Sequence, residues 1–480
     1  MFELHHLSAQ DLWDWIRRGD TTARDATEHY LGRIERLDPR LGAFVTVTAD
    51  AARERADRLG HLVPTSRPLW GLPSADKDLY DRVGVPTRSG TTSLPERPAA
   101  ADHPVVAALD AAGAVSLGKT TTPEFGMSSS SETRFGVTRN PYRTDLAPGG
   151  SSSGAAAAVA AGLLPAAVGS DGGGSVRIPA AATGLVGLKP SRGRVPSMPG
   201  RSGVGGLSVA GPLTRSVADA GMLLDALVAP TGLDEPVPYA LVTPDVGDGP
   251  FTAAAVRGEG RFVLGVLEGS PWDDTIDVVV DPAARAAVAT AVREFDALGH
   301  GIEDVRMPSV PYGAAFRVAW ETSAARLPAV PGIDLSALTP LVSWLVARGQ
   351  ALTGTQVLDA MTALDVFSAT VIRAFDRFDA VLSPTLALTP RPLGWYGDDP
   401  EEDFRRQCAY SPWTSMANVA GLPAITLPVG VTPADHPDGA GLPMGVQLIG
   451  RPGGERTLLA LGAQLERRHR VEHLRPGQRL

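Results

Sequence analysis

Cysteine is almost absent from this sequence, since Cys408 is the only one among 480 residues. A single cysteine excludes an internal disulfide and a thiolate metal cluster, and we expect neither a metal nor a cofactor. The net charge is −9 and no run of five or more lysines and arginines occurs, which argues against nucleic acid as a partner.

Long apolar runs are also missing. No stretch reaches the roughly 20 apolar residues that are needed to span a bilayer. The first residues lack the basic start and the apolar core of a signal peptide. These absences predict a cytoplasmic protein without a membrane partner.

Glycine and proline, by contrast, are abundant, with 53 and 41 residues. Hydrophobic residues make up 43% of the chain and charged residues 20%, which is enough for a sizeable buried core. The composition therefore indicates a folded protein with many ordered loops.

Strand and helix signals alternate along most of the chain, which is typical of an α/β protein. The segment that opens at Trp70 and contains Lys77 is strand-like. Further strands are predicted at Ala114–Leu117, Leu164–Val168, Phe262–Leu267, Ile302–Met307, Ala380–Leu382, Ala424–Leu427 and Val446–Ile449. Helices are predicted at Ala51–Leu59, Pro104–Ala112, Ala155–Ala161, Pro282–Leu298 and Thr457–Glu466.

Three short motif matches lack the structural context that their chemistry requires. Gly113–Thr120 fits the phosphate-loop pattern, but its middle residues are strand-like, whereas the motif needs a loop that wraps phosphate. Gly150–Gly154 fits the nucleophile elbow of α/β-hydrolases, but a polar segment precedes it and no well-placed histidine follows. Ser74–Lys77 fits the SxxK motif of penicillin-recognising enzymes, but the companion SDN and KTG elements are missing.

The strongest chemical signal lies in residues 149–179, where two serine-glycine clusters flank a short helix and a short strand. Three glycines precede Ser175, and glycines allow successive N–H groups to line a concave turn. Such a turn can hold an oxyanion while the serine attacks the same carbonyl group. Taken alone, these residues also fit an ordinary glycine turn with a solvated serine.

Several blocks, taken in order, resemble the amidase signature family. They span roughly residues 10–470, and independent blocks in order are far more specific than a single motif. The blocks are Gly71–Asp78, Gly118–Phe125, Asn140–Pro141, Gly149–Ser152, Ser170–Pro179, Gly187–Pro190, Gly211–Leu213, Gly421–Ala424 and Pro443–Ile449.

The resemblance implies a single large α/β/α domain over residues 1–480, with a mixed central sheet covered by helices on both faces. Ser8 can cap a first helix, and Thr21 or Thr22 a second one. The expected parts are an N-terminal helical segment at about 8–60, a catalytic core at about 65–225, a variable surface excursion at 229–260 and the C-terminal part of the same sheet at 261–470.

The resemblance also implies roles for individual residues. The catalytic positions of the family match Lys77, Ser151 and Ser175, with a cis peptide bond between Gly150 and Ser151. The implied oxyanion hole consists of the N–H groups of Gly172, Gly173, Gly174 and Ser175.

This chemistry is coherent, because a serine hydroxyl needs a base before it becomes a nucleophile. Lysine has an ordinary pKa of about 10.4, and burial can lower that pKa by several units. A buried, neutral Lys77 can then draw a proton from Ser175 through the Ser151 hydroxyl. For Lys77 alone, an exposed side chain or an ion pair with Asp76 or Asp78 is the simpler interpretation, and the ordered blocks favour the catalytic one.

The sequence departs from the family pattern at three positions, none of which removes a catalytic group. Ser153 stands where the family usually has Gly, and Thr121 replaces the usual Asn of its second block. Gly172 stands where a larger residue is commoner. These changes put the local geometry in question and bear on substrate fit.

The expected activity is hydrolysis of a neutral or aryl-type carboxylic amide, a small molecule, through an acyl-enzyme on Ser175. Carbamate and aryl ester hydrolysis use the same chemistry and remain alternatives. A third alternative is the glutamine-hydrolysing subunit of a tRNA-dependent amidotransferase, which usually has Gln where this chain has Ile178. A homodimer is compatible with the resemblance.

We expect the substrate pocket to use Gly126, Met127 and the segment Tyr410–Ala417. Within that segment, Trp413 and Met416 either face an apolar substrate or pack in the core, because both residue types are often buried.

Overall fold

The computed structural model describes residues 3–60, 67–196, 203–228 and 250–469. Fifteen α-helices lie in these ranges: α1 Ala9–Arg18, α2 Ala23–Leu41, α3 Ala49–Leu59, α4 Pro104–Ala111, α5 Ser153–Ala160, α6 Arg177–Ala182, α7 Val217–Val228, α8 Phe251–Arg257, α9 Pro282–Ala297, α10 Gly313–Ala324, α11 Pro340–Ala351, α12 Gly354–Phe375, α13 Pro400–Tyr410, α14 Ser415–Val419 and α15 Glu455–Arg468.

The same ranges contain thirteen strands: β1 Phe44–Val47, β2 Pro73–Lys77, β3 Val115–Thr120, β4 Glu132–Thr133, β5 Gly136–Val137, β6 Ala166–Asp171, β7 Val186–Lys189, β8 Val209–Thr214, β9 Val263–Glu268, β10 Gly301–Arg306, β11 Ala380–Pro384, β12 Ala424–Val431 and β13 Pro443–Gly450.

Local polar contacts explain where the first two helices begin and end. The Ser8 side chain accepts the N–H of Asp11 at the start of α1, and the Thr22 side chain accepts the N–H of Asp25 at the start of α2. Gly19, with a φ of 80°, ends α1 in the left-handed conformation that glycine favours. The predicted caps at Ser8 and Thr22 are confirmed.

The main sheet has eight strands in the order β10-β9-β11-β13-β12-β7-β8-β6. Strand β9 runs parallel to its neighbours β10 and β11, and the remaining adjacent pairs are antiparallel. The predicted α/β class with a mixed central sheet is thereby confirmed.

Apolar cores lie on both faces of this sheet. In β11, Ala380 and Leu382 belong to one cluster of buried residues, whereas Val381 between them belongs to another. Successive strand residues point to opposite faces, so the alternation places one core on each side. Helices α1, α2, α7, α9 and α15 contribute to the first core, and helices α10 to α14 contribute to the second.

A separate three-stranded sheet, in the order β1-β3-β2, carries Lys77. Strand β2 packs beside β6, the edge strand of the main sheet, so the lysine lies near the loop that follows β6. The strand predicted around Lys77 is confirmed. Gly118, Lys119 and Thr120 lie inside β3 and not in a loop, which excludes the phosphate-loop interpretation.

Part of the predicted surface excursion is ordered. Residues 229–249 lie outside the described ranges, but Phe251–Arg257 forms α8, which packs on α7 and α15. The variable surface excursion at 229–260 stays a prediction, and its last part includes this helix. Among the described helices, none is both long and apolar enough to cross a membrane.

We predict that Leu382→Ala lowers the free energy of unfolding by about 2–5 kcal/mol, because it leaves a cavity in the centre of the sheet. Leu382 is fully buried, whereas Leu358 on α12 is 68% exposed and serves as the matched control. Leu358→Ala should change the same quantity by no more than about 0.5 kcal/mol. Chemical denaturation measures both, and equal losses would contradict the assigned core.

Candidate active site

The Lys77 side chain ends among serine oxygens at the junction of the two sheets. It is fully buried, and its Nζ atom lies 2.8 Å from Ser151 Oγ, 3.0 Å from Ser152 Oγ and 2.8 Å from Ser170 Oγ. All three neighbours are neutral oxygens. Among the described residues, no carboxylate forms an ion pair with this amine.

The two aspartates adjacent to Lys77 in sequence bind other cations. Asp76 pairs with Arg82, whose Nε lies 2.6 Å from the Asp76 carboxylate. Asp78 pairs with the buried Lys119 at 3.3 Å. The ion-pair interpretation of Lys77 is therefore wrong, because alternate residues of β2 point in opposite directions and the following turn carries Asp78 away.

Burial sets the protonation of Lys77. Loss of hydration lowers the pKa of Lys77 to about 7, although the negative charge of nearby Asp171 acts in the opposite direction. A neutral amine has a lone pair, so this lysine can act as a base near neutral pH.

The loop before α5 presents Ser151 to this amine. The peptide bond between Gly150 and Ser151 is cis, as the family resemblance implies. Gly126 lies against the same hydroxyl with a φ of +67°, and a Cβ atom there would come within 3.2 Å of Ser151 Oγ and 2.8 Å of a Leu79 methyl carbon. Glycine at 126 thus gives Ser151 room.

Ser175 follows the glycine turn between β6 and α6. The Ser152 N–H donates to the Ser175 carbonyl oxygen at 3.2 Å, which holds the two serine loops side by side. The Ser175 side chain is half-buried and faces a pocket. The N–H groups of Gly172, Gly173 and Ser175 meet no acceptor among the described residues, so they are available to a bound oxyanion.

A buried ion pair supports this turn. Arg177 donates through Nη2 and Nε to the two carboxylate oxygens of Asp171 at 2.8 and 3.0 Å, and both side chains are fully buried. Burial raises the pKa of Asp171, but the charge of Arg177 outweighs it and holds that pKa at about 2. Asp171 also accepts the N–H of Gly174 at 2.8 Å, so a predicted oxyanion hole has to rely on the other three N–H groups.

The pocket beside Ser175 has aromatic walls formed by Trp272, Phe316, Trp320 and Phe404. Gly126 and Met127 also line it, as the sequence predicted. Ile178, three residues after Ser175 and in the first turn of α6, also lines the pocket. The lining therefore combines flat aromatic walls with several uncharged polar side chains, which suits a neutral substrate with a planar or apolar group.

Trp413 and Met416 pack in the core, so the alternative in which they face a substrate is wrong. Both are buried in the second core, and Trp413 Nε1 donates to the carbonyl oxygen of Gly269 at 2.9 Å. From the same segment, Ser411 and Ser415 line the pocket instead. The short helix α14 turns its neighbouring positions in different directions, so Ser415 and Met416 have different surroundings.

The aromatic walls were not predicted from the sequence. They come from α10, α13 and a loop, far along the chain from Ser175. Phe316 and Trp320 lie four residues apart, a spacing that places them on one face of α10, where their rings stack at 5.6 Å. That spacing was the one available signal for a shared aromatic surface.

The three departures from the family pattern have simple structural settings. Ser153 Oγ donates to the Thr121 carbonyl oxygen at 3.5 Å, so two of the changed residues contact each other. At Gly172 a Cβ atom would lie no closer than 3.7 Å to its nearest neighbour, a ring carbon of Trp320. The site therefore does not require glycine at 172 for steric reasons.

Comparison with known proteins identifies the family of this chain and agrees with its fold. The amidase family model matches residues 25–459. Putative amidase AmiB2 of Mycobacterium tuberculosis is 38% identical over 481 residues, covering 96% of this chain and 95% of the relative. A glutamyl-tRNA(Gln) amidotransferase subunit of Synechococcus is 35% identical over 491 residues, covering 96% of this chain and 97% of the relative.

Solved structures are similar over nearly the whole chain. The 6-aminohexanoate cyclic dimer hydrolase superposes with a TM-score of 0.88 at 28% identity, covering 99% of both chains. A bacterial aryl acylamidase of the amidase signature family gives a TM-score of 0.84 at 27% identity, again covering 99% of both.

The chain belongs to the amidase signature family. It is a hydrolase of carbon–nitrogen bonds in amides.

We predict that Asp171→Asn strongly destabilises the protein, by about 3–5 kcal/mol, because it leaves the Arg177 charge buried without a partner. Asp171→Asn combined with Arg177→Gln should cost less than the sum of the single changes. Glu268→Gln is the matched control, because Glu268 pairs with Arg306 on the surface, where the two side chains are 55% and 88% exposed, respectively. This change should have no measurable effect on the free energy of unfolding. Additive losses in chemical denaturation would show that the two residues are not coupled.

Proposed function

We propose that Ser175 is the nucleophile of an amide hydrolase and that Lys77 activates it through Ser151. The supporting observation is the fully buried Lys77 amine, which has a pKa of about 7 and lies 2.8 Å from Ser151 Oγ. A base with a pKa near the working pH is well matched to proton transfer.

In the first step, the Lys77 lone pair takes the proton of Ser151 while Ser151 takes the proton of Ser175. The Ser175 oxygen then forms a bond to the amide carbonyl carbon, and the carbonyl electron pair moves onto its oxygen. The N–H groups of Gly172, Gly173 and Ser175 stabilise that oxyanion.

In the second step, the proton held by Lys77 returns through Ser151 to the leaving nitrogen, the carbon–nitrogen bond breaks, and the amine departs from an acyl-enzyme. Water then attacks the ester with the same relay as base, and the acid leaves as the Ser175 proton is restored. The two N–H groups of neutral Lys77 can donate to Ser152 and Ser170, which keeps the lone pair directed at Ser151.

The proposed substrate is a small neutral amide with an aryl or apolar group, because aromatic side chains form the walls of the pocket. The similarity to an aryl acylamidase supports the aryl group, and the similarity to a 6-aminohexanoate cyclic dimer hydrolase supports a small-molecule substrate. A carbamate or an aryl ester would form the same acyl-enzyme, so these are second candidates for the bond that is cleaved.

A glutamine-hydrolysing component of an amidotransferase is a further candidate, because relatives of that kind match almost the whole chain. The apolar Ile178 and the aromatic walls fit the polar glutamine side chain poorly. A screen of purified protein against aryl amides, aliphatic amides, carbamates and glutamine, read by released amine, separates the candidates. Ammonia release from glutamine only in the presence of other chains would favour the amidotransferase.

A cytoplasmic location and a homodimer stay predictions. The single cysteine and the acidic net charge are compatible with the first. Fractionation of cells would test the location, and the mass of the purified protein in solution would test the homodimer.

We predict that Ser175→Ala abolishes both amide hydrolysis and covalent labelling by a fluorophosphonate, because it removes the attacking oxygen. Ser74→Ala, in the SxxK-like segment of β2, is the matched control and should retain labelling. Mass spectrometry of the labelled peptide reads the result. Labelling that persists in Ser175→Ala at another serine would overturn the assignment.

We predict that kcat/KM rises about tenfold per pH unit below pH 7 and levels off above it, because only the neutral form of Lys77 accepts a proton. Lys77→Ala should lower kcat/KM by about 10²–10⁴-fold and remove this dependence. Arg306→Ala, which removes an exposed cation, is the control and should keep the wild-type pH profile. Lys119 is unsuitable for this purpose because its amine is buried in an ion pair with Asp78. An unchanged pH profile in Lys77→Ala would refute the relay.

A further inference from the structure

Ser415 is a pocket residue to which the proposed mechanism gives no role. It lies at the first turn of α14, is 4% exposed and lines the cavity beside Ser175. A Cβ atom on Gly173 would lie 3.9 Å from Ser415 Cβ, so the serine borders the glycine turn directly.

Ser415 Oγ accepts two hydrogen bonds, and its own hydroxyl proton has no acceptor among the described residues. Tyr312 donates its hydroxyl proton to Ser415 Oγ at 2.8 Å, and Trp272 donates its indole N–H to the same oxygen at 3.3 Å. A serine hydroxyl has two acceptor lone pairs and one donor. Both lone pairs are therefore occupied, and among the described residues no acceptor receives the Ser415 proton.

This arrangement fixes the direction of the hydroxyl. Trp272 and Tyr312 are nearly or fully buried and are held in the second core, so neither can give up its role as donor without losing a hydrogen bond. The Ser415 O–H group must point away from both, and the pocket is the space that it borders. Buried donors are rarely left without a partner, so the pocket should supply an acceptor.

Other polar side chains of the pocket are largely committed. Gln407 accepts the N–H of Ser129 at 2.9 Å and donates to Asp403 at 2.7 Å. Trp320 donates its indole N–H to the Met127 carbonyl oxygen at 3.3 Å. Ser415 thus stands out as a buried donor with a preset direction between aromatic walls.

We propose that the pocket selects a planar group bearing a hydrogen-bond acceptor, such as a ring nitrogen or a ring carbonyl oxygen, which accepts the Ser415 proton. This inference rests on the proposed function, since it assigns the substrate class of the same site. The aromatic walls hold the flat ring, and Ser415 distinguishes an acceptor-bearing ring from its plain hydrocarbon isostere.

The experiment compares two isosteric pairs, because the pocket can hold either side of the scissile bond. Benzamide and nicotinamide differ by a ring nitrogen on the acyl side, and acetanilide and N-(3-pyridyl)acetamide differ by one on the amine side. The readout is the ratio of kcat/KM for the pyridyl compound to that for the phenyl compound. Taking the change in this ratio between wild type and variant cancels the intrinsic reactivity of the ring.

In Ser415→Ala the pyridyl-to-phenyl ratio of kcat/KM should fall about tenfold relative to wild type, as expected for loss of one hydrogen bond. The fall should occur in the pair whose ring occupies the pocket, on the acyl side or on the amine side. Ser368→Ala is the matched control, because Ser368 lies on α12 outside the pocket and its hydroxyl donates to backbone oxygens. That variant should keep the wild-type ratio. Fluorophosphonate labelling of Ser175 verifies that each variant retains its site.

Tyr312→Phe provides a second test should Ser415→Ala fail to fold. It removes the tyrosine hydroxyl, keeps the Ser415 hydroxyl and frees one lone pair of Ser415 Oγ. The Ser415 hydroxyl can then rotate, so the ratio should fall severalfold, while 3-aminobenzamide, which carries a donor, should gain relative to benzamide. No such change in Tyr312→Phe overturns the proposal.

The outcomes separate this inference from the function that underlies it. If Ser175→Ala abolishes hydrolysis but the pyridyl-to-phenyl ratios of kcat/KM are the same in wild type and Ser415→Ala, the role of Ser415 is refuted. The proposed amidase function is supported in that case. A wild-type protein that cleaves none of the four compounds overturns the proposed substrate class together with the inference.

Discussion

The ion pair between Asp171 and Arg177 is the constraint on which the rest of the site depends. Besides binding Asp171, the guanidinium of Arg177 donates to Gln447 on β13 and to Asn418 on α14. The carboxylate accepts N–H groups from the turn that presents Ser175. Because a buried charge is strongly unfavourable without its partner, the pair ties this turn to the main sheet and to the wall of the pocket.

The same carboxylate also influences Lys77, the proposed base. Burial lowers the pKa of Lys77, and Asp171 offsets part of that decrease without contacting the amine. A carboxylate in direct contact would keep the lysine protonated, and the two aspartates adjacent in sequence are instead bound to other cations. The pKa of Lys77 near neutrality therefore results from a buried, serine-lined site with one negative charge at a distance.

Much of the fold could be predicted because its signals are local. The cap at Ser8, the strand around Lys77 and the strands of the C-terminal half follow from capping and from short apolar runs. Helices α10 to α14 and the helix Phe251–Arg257 were not predicted. A local signal was available for α12, which begins at a capping box formed by Thr353 and Gln356. The other helices are 5 to 12 residues long, and helices of that length depend on packing against neighbouring elements for their stability.

For the site, the amino-acid order alone identified the groups to which we assign the reaction: Lys77, the serines at 151 and 175, and the glycines that allow a tight turn. Ordered motifs identify such groups because the chemistry requires those residue types. The side chains that surround these groups are set by how distant parts of the chain pack together. The tertiary structure placed Trp320 and Ser415 in the pocket and Trp413 in the core, because side-chain direction within a short helix and contacts between distant segments depend on packing, which no local pattern encodes.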